Sequence, residues 1–473
     1  MFFRGEDIPG KKVTIMGLGL HGGGLASTLF FVSRGAEVTV TDLRSREVLQ
    51  PILDKLKKYP INYTLGRHRI EDFLKADLVI KNPAVPPDSP YLKAAKLVET
   101  DISVFLSLNK RPVIAVTGSK GKSTTVSAVY HVLKTRLPET KLGGNITVSP
   151  LTFVDDCTEE SCTPVILELS SWQLADLKDK GILKPKTAAI TNIMPDHQNR
   201  YTSMADYVAD KKLIYRDIPA ESCLICSYDD RFGREFAAET KSRVFYVSSH
   251  PLPENLEGVF LEDRAGFIRT DGKTVKVLPE KINLPGVHNR INLLYAAAIL
   301  YREGMKAEDI AEGLSRFTGI PHRMEKVAEI HGAAWYNDSA ATIPQATAAA
   351  LKSFEGPVLL ICGGTDKKLQ FEDFDKAVSI PEKIYLLEGS ATDRMLPFIK
   401  SAGTPFKGPF SSLKEAVDSA CKDSKEGDSI ILSPGATSFG MFLNEFDRGD
   451  QFRKMVKELE DNTTLQNKNS TVP

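Results

Sequence analysis

Short apolar runs recur along the chain, and each ends in glycine or polar residues before a stretch of helical periodicity begins. The clearest runs cover residues 12–16, 38–41, 78–81, 113–117, 164–169 and 187–191, and three more follow at 358–362, 384–387 and 429–432. Such runs are typical of strands buried on both faces of a parallel sheet, and the periodic stretches are typical of the covering helices. The pattern predicts an α/β protein, and 473 residues suffice for about three domains.

One run leads into a phosphate-binding loop. After residues 113–117 come Gly118, Ser119, Lys120, Gly121, Lys122, Ser123 and Thr124, and a helical pattern continues to Lys134. Glycines let backbone N–H groups approach phosphate oxygens, and the helix N-terminus adds partial positive charge. We expect Lys122 to hold the terminal phosphates of ATP and Ser123 to bind Mg²⁺. The first glycine comes later than in the usual loop, so a plain glycine turn before a helix is the alternative.

A second glycine signature opens the chain. Residues 12–16 lead into the loop Gly17-Leu-Gly-Leu-His-Gly22, and a second strand ends at Asp42. This order is Rossmann-like, with a diphosphate group expected against the loop and the helix N-terminus. Taken alone it is compatible with NAD, but Arg44 and the separate ATP loop favour a nucleotide that is part of the substrate, such as a UDP group. The residues expected to bind it are Gly19, Leu20, His21, Asp42 and Arg44.

Two polar clusters follow predicted strands of the ATP-binding region. Glu168 ends one strand, and Asp196 and His197 follow the next. Ligands gather at the carboxyl ends of parallel strands, and Mg²⁺ prefers hard oxygen ligands, so Glu168 is a candidate metal ligand. For His197, a solvated or capping role is the alternative.

Composition and charge indicate a soluble enzyme without a nucleic-acid surface. Lysine plus arginine total 61 and aspartate plus glutamate also total 61, so there is no net charge to attract nucleic acid. The first residues lack the apolar core of a signal peptide, and no run is long enough to span a membrane. Cys223 and Cys226 have no second pair to complete a metal site, so we expect strand residues with reduced thiols. We expect a cytoplasmic monomer that binds small-molecule substrates.

The motifs together resemble the Mur ligases. Those that carry the resemblance are Thr117-Gly-Ser-Lys-Gly-Lys-Ser-Thr-Thr125, Gly143-Gly-Asn-Ile146, Glu168-Leu-Ser-Ser171, Asp196-His197, Leu284-Pro-Gly-Val-His-Asn-Arg-Ile-Asn292, Phe317-Thr-Gly-Ile-Pro-His-Arg-Met-Glu325, Asn337-Asp-Ser339, Gly363-Gly-Thr-Asp-Lys367 and Leu432-Ser-Pro434. The resemblance covers nearly the whole chain. It implies a Rossmann-like UDP-substrate domain over 1–108, a central phosphate-loop ATPase-type domain over 109–318, and a Rossmann-like amino-acid domain over 319–473, with 461–473 a flexible tail.

The resemblance also implies a reaction. ATP phosphorylates a substrate carboxylate to an acyl phosphate, and the amine of an amino acid attacks it to form an amide. The pattern is most similar to the members that add D-glutamate to UDP-N-acetylmuramoyl-L-alanine in peptidoglycan synthesis. By resemblance, Ser123 and Glu168 bind one Mg²⁺, and His197 binds a second.

A carbamylated lysine is a further implication of the resemblance. Lys211 occupies the matching position on a predicted helix, and its added negative charge would help to organise Mg²⁺. An exposed, unmodified helix lysine is the alternative, and the neighbouring Lys212 leaves the register open.

The remaining implied site residues are spread over the second and third domains. Those matched to the ATP site are Asn289, Asn292, Arg323 and Asp338, and Asn145 is matched to the muramoyl substrate. A helix N-cap role is the alternative for Asn292. Thr342, Lys367 and Ser438 are matched to the amino-acid site. Ala340 and Glu445 depart from the family pattern, which leaves L-glutamate or another amino acid as an alternative substrate.

Three other functions are alternatives to an amide-forming ligase. A nicotinamide-dependent oxidoreductase would use the N-terminal glycine loop but would leave Lys122, Glu168 and His197 without a role. A non-catalytic nucleotide-binding module would not require these residues together with Lys211. Folate polyglutamylation shares the ATP domain, but the complete N-terminal Rossmann-like domain favours a UDP-linked substrate.

Overall fold

The structure is a computed structural model that describes residues 8–20, 22–146, 148–194, 201–366, 370–438 and 440–469. It contains two compact units, one of Met1–Glu280 with Ile291–Gly313 and one of Lys281–Arg290 with Leu314–Pro473. Three parallel-rich sheets, each covered by helices, confirm the predicted α/β class.

The N-terminal sheet is five-stranded and parallel, with the order β3-β2-β1-β4-β5. Its strands are β1 (Lys12–Met16), β2 (Glu37–Asp42), β3 (Ile61–Leu65), β4 (Leu78–Lys81) and β5 (Val98–Glu99), and its helices are α1 (Gly23–Ser33), α2 (Arg46–Leu56), α3 (Ile70–Leu74), α4 (Pro90–Lys93) and α5 (Asp101–Leu108). The apolar run at 78–81 forms β4, but this strand is not the edge of the sheet, because the short β5 pairs beyond it.

The central sheet is nine-stranded, with the order β14-β13-β12-β11-β10-β9-β6-β8-β7. Its strands are β6 (Val113–Thr117), β7 (Lys141–Gly144), β8 (Val165–Glu168), β9 (Thr187–Ile190), β10 (Cys223–Ser227), β11 (Arg243–Ser248), β12 (Gly258–Glu262), β13 (Ala265–Thr270) and β14 (Lys273–Leu278). The helices along this part of the chain are α6 (Lys122–Arg136), a 3₁₀ helix (Pro150–Cys157), α7 (Ser171–Asp176), α8 (Met204–Arg216), α9 (Arg231–Glu239), α10 (Val287–Arg302) and α11 (Ala307–Ser315). Strands β12 to β14 form antiparallel hairpins at one edge, and the rest pair in parallel.

The C-terminal sheet is six-stranded, with the order β15-β16-β20-β17-β18-β19. Its strands are β15 (Glu325–Ile330), β16 (Ala333–Asn337), β17 (Val358–Gly363), β18 (Lys383–Leu387), β19 (Phe406–Phe410) and β20 (Ser429–Leu432), and its helices are α12 (Pro344–Leu351), α13 (Glu372–Asp375), α14 (Ser390–Ala402), α15 (Leu413–Asp423) and α16 (Glu445–Asn469). Only β15 and β16 pair antiparallel among these strands. Helix α16 continues to Asn469, so most of the predicted flexible tail is helical here, and its mobility stays a prediction.

The middle strands of the central sheet form its hydrophobic core, because their side chains are mostly apolar on both faces. Every residue of β6, β8 and β9 is buried. Cys223 and Cys226 are buried in β10 with reduced thiols, which confirms the strand prediction for this pair. None of the helices in the described ranges combines the length and the apolar character that a membrane crossing requires.

Candidate active site

The phosphate loop is held tightly at the end of β6. Gly118 has a φ of 140°, and a Cβ atom there would lie 2.0 Å from the Thr191 hydroxyl oxygen, so only glycine fits. The N–H groups of Ser119 and Lys120 donate to the carbonyl and side-chain oxygens of Asn192, at 2.9 Å each. Two of the loop N–H groups are therefore hydrogen-bonded to Asn192, just after the end of β9.

The helix after the loop offers its first turn to a ligand. The first N–H bond within α6 runs from Thr125 to the Gly121 carbonyl, at 3.0 Å. The preceding N–H groups of Lys122, Ser123 and Thr124 belong to the turn that lacks intrahelical acceptors, which is where an anion binds. The Lys122 ammonium donates to the carbonyls of Gly118 and Ser119 at 2.9 and 3.1 Å. It thus lies across the loop, and its contact with the ATP phosphates stays a prediction.

The Ser119 side chain has a structural role. It is buried, and its hydroxyl lies 2.9 Å from the Tyr207 hydroxyl and also bonds the Met194 backbone. These contacts connect the loop to α8.

Lys211 is the lysine of α8 that faces the loop. Its side chain is buried, and its ammonium donates to the Gly118 carbonyl at 2.9 Å and to the Thr117 hydroxyl at 3.1 Å. Lys212 instead forms an ion pair with Glu239 at 2.6 Å on the outer side of the helix. Of these two lysines, Lys211 is therefore the one that lies next to the phosphate loop.

Glu168 presents a buried carboxylate beside the loop, because β8 pairs directly with β6. Its Oε1 accepts a hydrogen bond from the Asn145 amide at 2.8 Å, and its Oε2 is buried without a hydrogen-bond partner among the described residues. A buried carboxylate oxygen is costly to leave unsatisfied, so this oxygen fits a divalent cation. Ser123 stands at the start of α6, as a metal-binding hydroxyl requires. The described residues contain no cluster of three or more His, Cys, Asp or Glu side chains that could hold a metal.

Asn292 lies inside a helix and against the loop. Helix α10 begins at Val287, so the alternative of an N-cap role for Asn292 was wrong. Its Oδ1 is 2.1 Å from the Cβ position of Gly121, and the Thr125 hydroxyl donates to its carbonyl at 3.3 Å. The helix starts earlier than predicted because the turn at Pro285 and Gly286 precedes it.

A cavity of about 590 Å³ opens at the carboxyl ends of β1, β2 and β4. Four predicted UDP-site residues line it, namely Gly19, Leu20, Asp42 and Arg44. Leu20 and Leu43 are 44% and 69% exposed at this cavity, which gives apolar surface for a planar ring. Gly23, the first residue of α1, also lines the cavity, so a helix N-terminus that favours anions borders it.

Asp42 has a role within the glycine loop. Its Oδ2 accepts the Gly19 N–H at 2.9 Å, and its Oδ1 accepts the Arg44 N–H at 2.8 Å. The carboxylate therefore shapes both the loop and the start of the next segment, while the Arg44 side chain stays half exposed.

Asp338, one of the residues matched to the ATP site, is buried in the C-terminal unit. Burial raises its pKa to about 7, although hydrogen bonds from Ser433 and the Met324 N–H and the positive charge of Arg323 act in the opposite direction. The Ser433 hydroxyl donates to it at 2.8 Å. Asn289 is buried, and its amide donates to the Pro285 carbonyl at 2.7 Å.

The loops that carry Thr342 and Ser438 meet in this unit. The Gly435 N–H donates to the Ala341 carbonyl at 2.9 Å, and Thr342 is half-buried beside it while Ser438 is buried. Arg448, also buried, donates to the carbonyls of Ser339 and Ala436 at 2.9 and 3.3 Å, so it fixes both loops.

The two departures from the family pattern lie close to these loops. The Ala340 N–H donates to the His322 carbonyl at 2.9 Å, and the Glu445 carbonyl accepts from the Ser339 hydroxyl at 2.7 Å. Four predicted residues lie outside the described residues: His21, Asp196, His197 and Lys367.

Sequence reasoning missed several residues that shape these sites. Thr191 and Asn192 bind the phosphate loop, and His68, Asn82 and Tyr91 line the N-terminal cavity. The available signal was their position, because Thr191, Asn192 and Asn82 directly follow buried parallel strands.

The phosphate loop, the unsatisfied carboxylate beside it and the separate glycine-loop cavity define a nucleotide-dependent α/β enzyme. Three family models match the chain in order: Mur ligase MurD-like N-terminal domain over 11–104, Mur ligase middle domain over 116–300, and Mur ligase glutamate ligase domain over 322–435. The chain belongs to the Mur ligase family. The predicted domain boundaries near residues 108 and 318 stay predictions.

Relatives extend the match over nearly the full length. The UDP-N-acetylmuramoylalanine–D-glutamate ligase of Treponema pallidum (strain Nichols) is 39% identical, covering 95% of this chain and 98% of the relative. The enzyme of that name from Roseiflexus sp. (strain RS-1) is 36% identical, covering 95% and 99%. Among solved structures, the UDP-N-acetylmuramate-alanine ligase MurC of Thermotoga maritima is 20% identical with a TM-score of 0.57, covering 95% and 99%, which supports the fold.

Proposed function

We propose that this protein joins D-glutamate to UDP-N-acetylmuramoyl-L-alanine with ATP hydrolysis, in peptidoglycan precursor synthesis. The observation that carries the proposal is Glu168, whose buried and unsatisfied oxygen lies on the strand paired with the phosphate-loop strand. The relatives named UDP-N-acetylmuramoylalanine–D-glutamate ligase, at up to 39% identity, support these two substrates.

The reaction requires two steps. The carboxylate of the UDP substrate attacks the terminal phosphorus of ATP, and ADP leaves. The amine of D-glutamate then attacks the acyl phosphate, and phosphate leaves while a proton is released. The protein contributes positioning and charge neutralisation, as in other phosphoryl transfers.

Different residues of this chain are proposed to bind ATP and the UDP substrate. Lys122 and the first turn of α6 would hold the ATP phosphates, and Ser123 and Glu168 would hold Mg²⁺, which neutralises phosphate charge when bound. His197 is proposed to bind a second ion. The cavity lined by Leu20 and Arg44 would hold the uridine diphosphate.

The C-terminal unit would hold the amino acid and part of ATP. We assign Asn289, Arg323 and Asp338 to the nucleotide, and Thr342, Lys367 and Ser438 to glutamate, with the Lys367 ammonium paired to the side-chain carboxylate. Ala340 and Glu445 depart from the family pattern, so L-glutamate or another amino acid is the alternative to D-glutamate. The protein is proposed to act in the cytoplasm as a monomer.

We also propose that Lys211 is carbamylated. The neutral amine adds to CO₂ and loses a proton, which replaces a positive charge beside the loop with a negative one. Its burial against the Gly118 carbonyl supports this assignment over Lys212.

The carbamate is tested with two variants. Lys211→Ala should lose activity, and short carboxylic acids added to the assay should restore part of it, because a free carboxylate can occupy the vacated space. Lys212→Ala is the matched control and should stay within about twofold of wild type, because an exposed ion pair contributes little. A fully active Lys211→Ala protein would exclude the carbamate.

The function is tested by phosphate release from MgATP. Release should require both UDP-N-acetylmuramoyl-L-alanine and D-glutamate, and Lys122→Ala should abolish it without lowering the unfolding temperature. Release with L-glutamate but not with D-glutamate would retain the ligase and change its substrate. Release with neither amino acid would contradict the proposal.

A further inference from the structure

Lys81, the last residue of β4, is a buried lysine with two partners. Its side chain is 4% exposed, and its ammonium lies 2.7 Å from Oδ2 of Asp176, which is itself 10% exposed. The same ammonium donates to the Val85 carbonyl at 3.3 Å. Buried ion pairs add little net stability compared with apolar packing, so this arrangement calls for another explanation, such as specific positioning.

Val85, whose carbonyl accepts from Lys81, lines the cavity that is proposed to bind UDP, called the UDP cavity below. Asn82, Ala84 and Val85 line the cavity of about 590 Å³. They form a turn in which the Val85 N–H donates to the Asn82 carbonyl at 2.9 Å and the Ala84 N–H to the Asn82 side chain at 3.0 Å. Lys81 therefore supports this turn from behind, through the Val85 carbonyl.

The other partner ends the short helix that follows Glu168. Helix α7 begins after Ser170, and Ser170 and Gln173 form a reciprocal capping box, which fixes the helix start. Asp176 is the last residue of α7. Since Ser170 is two residues after Glu168, one short capped helix connects Asp176 to the candidate metal ligand.

We propose that Lys81 is a positioning residue that couples occupancy of the UDP cavity to the placement of Glu168 beside ATP. The inference rests on the proposed function and adds a residue that touches neither nucleotide. Substrate that presses on the turn at Asn82–Val85 would tighten the Lys81 contacts and hold α7, and bound MgATP would act in the reverse direction.

A second, partly buried ion pair supplies a control. Lys180 and Glu99 lie 2.8 Å apart, with side chains 16% and 3% exposed, and they join β5 to the segment after α7. In the part of the chain that the structure describes, neither residue lines the UDP cavity. Removing this pair should cost comparable stability without affecting the coupling.

The test is isothermal titration of UDP-N-acetylmuramoyl-L-alanine into full-length protein, with and without a non-hydrolysable MgATP analogue. In wild type the analogue should tighten binding at least about fivefold, the lower range of measured couplings. In Lys81→Met the effect should fall below about twofold, while Lys180→Met should keep the wild-type coupling at a similar unfolding temperature. Asp176→Asn should reproduce the loss, and Lys81→Arg should restore the coupling.

Steady-state kinetics give an independent readout. Lys81→Met should raise the KM for the UDP substrate about tenfold and leave the KM for D-glutamate within about twofold. Equal coupling in wild type and in both Lys81→Met and Asp176→Asn would overturn the inference, as would absent coupling in wild type or an equal loss in Lys180→Met. Each of these results leaves wild-type turnover intact, whereas failure of the proposed function would abolish turnover itself.

Discussion

Asp338 combines deep burial with a pKa close to neutrality. It is 5% exposed, and burial raises its pKa from 3.8 to about 7. Between these values the folded protein binds a proton that the unfolded chain releases. The stabilisation from this group is therefore fully present below about pH 4 and is lost as the pH rises through about 7.

Asp338→Asn should remove this pH dependence, because an amide does not titrate. Relative to the variant, the wild-type protein should lose unfolding free energy, on the order of 4 kcal/mol at most, between about pH 4 and pH 8. Thermal unfolding of the ligand-free protein across this range measures it. Ser433→Ala, which removes a hydrogen bond that lowers the Asp338 pKa, should shift the step to higher pH. Parallel pH profiles for wild type and Asp338→Asn would contradict the prediction.

At the level of single side chains, the sequence predicted the positions of candidate residues better than their contacts. Lys122 and Glu168 were predictable because a phosphate loop and a strand end specify their positions. The sequence favoured Lys211 over Lys212 only through its spacing to Ile214 and Tyr215, since the helix register decides which side chain meets Gly118. The pairing of Lys81 with Asp176 was also out of reach, because it depends on how two segments distant in sequence pack together.

Strand β7 depends on a glycine at its end. Gly144 has a φ of 103°, and a Cβ atom there would lie 2.1 Å from the Glu168 carbonyl oxygen. The same carbonyl accepts the Asn145 N–H at 2.8 Å. Any side chain at Gly144 would therefore separate β7 from β8 at the candidate metal ligand.

Gly144→Ala should lower the free energy of unfolding by about 2–4 kcal/mol, through backbone strain and the steric clash together. Ligase activity should fall by more than tenfold, because Glu168 and Asn145 would shift. Gly181→Ala is the control: its φ is also positive, at 62°, but nothing lies within 4 Å of its Cβ position. It should cost about 1 kcal/mol and preserve activity, and equal effects of the two variants would show that the contact with Glu168 is unimportant.

Among the elements, those with continuous apolar runs were predicted best. Strands β1 and β6 have the bounds that the sequence predicted, because each run ends abruptly at a glycine loop. The hairpins of β12 to β14 were not singled out, since β14 is largely exposed and lacks a continuous apolar run. Strand β7 was missed for a related reason: Lys-Leu-Gly-Gly has no strong strand propensity, and its pairing with β8 decides its conformation.

At the scale of the whole molecule, the cavity proposed to bind UDP belongs entirely to one of the two compact units. All of its lining residues lie between Met16 and Tyr91, within the unit that contains Met1–Glu280. The C-terminal sheet has its own apolar cores, among them one around Val358, Ile384 and Ile431. A ligand that binds only the folded cavity should therefore stabilise one unit selectively.

UDP at about 100 times its dissociation constant should stabilise the unit that binds it by about 2.7 kcal/mol. Hydrogen exchange measures the effect: amides of β1, β2 and β4 that exchange through unfolding should slow by about 100-fold, while those of β17 and β20 should not change. Arg44→Ala, which removes a cation from the cavity without disturbing the core, should need more UDP for the same protection. Equal slowing in both sheets would mean that the units unfold together, and no slowing in β1, β2 and β4 would mean that the cavity does not bind UDP.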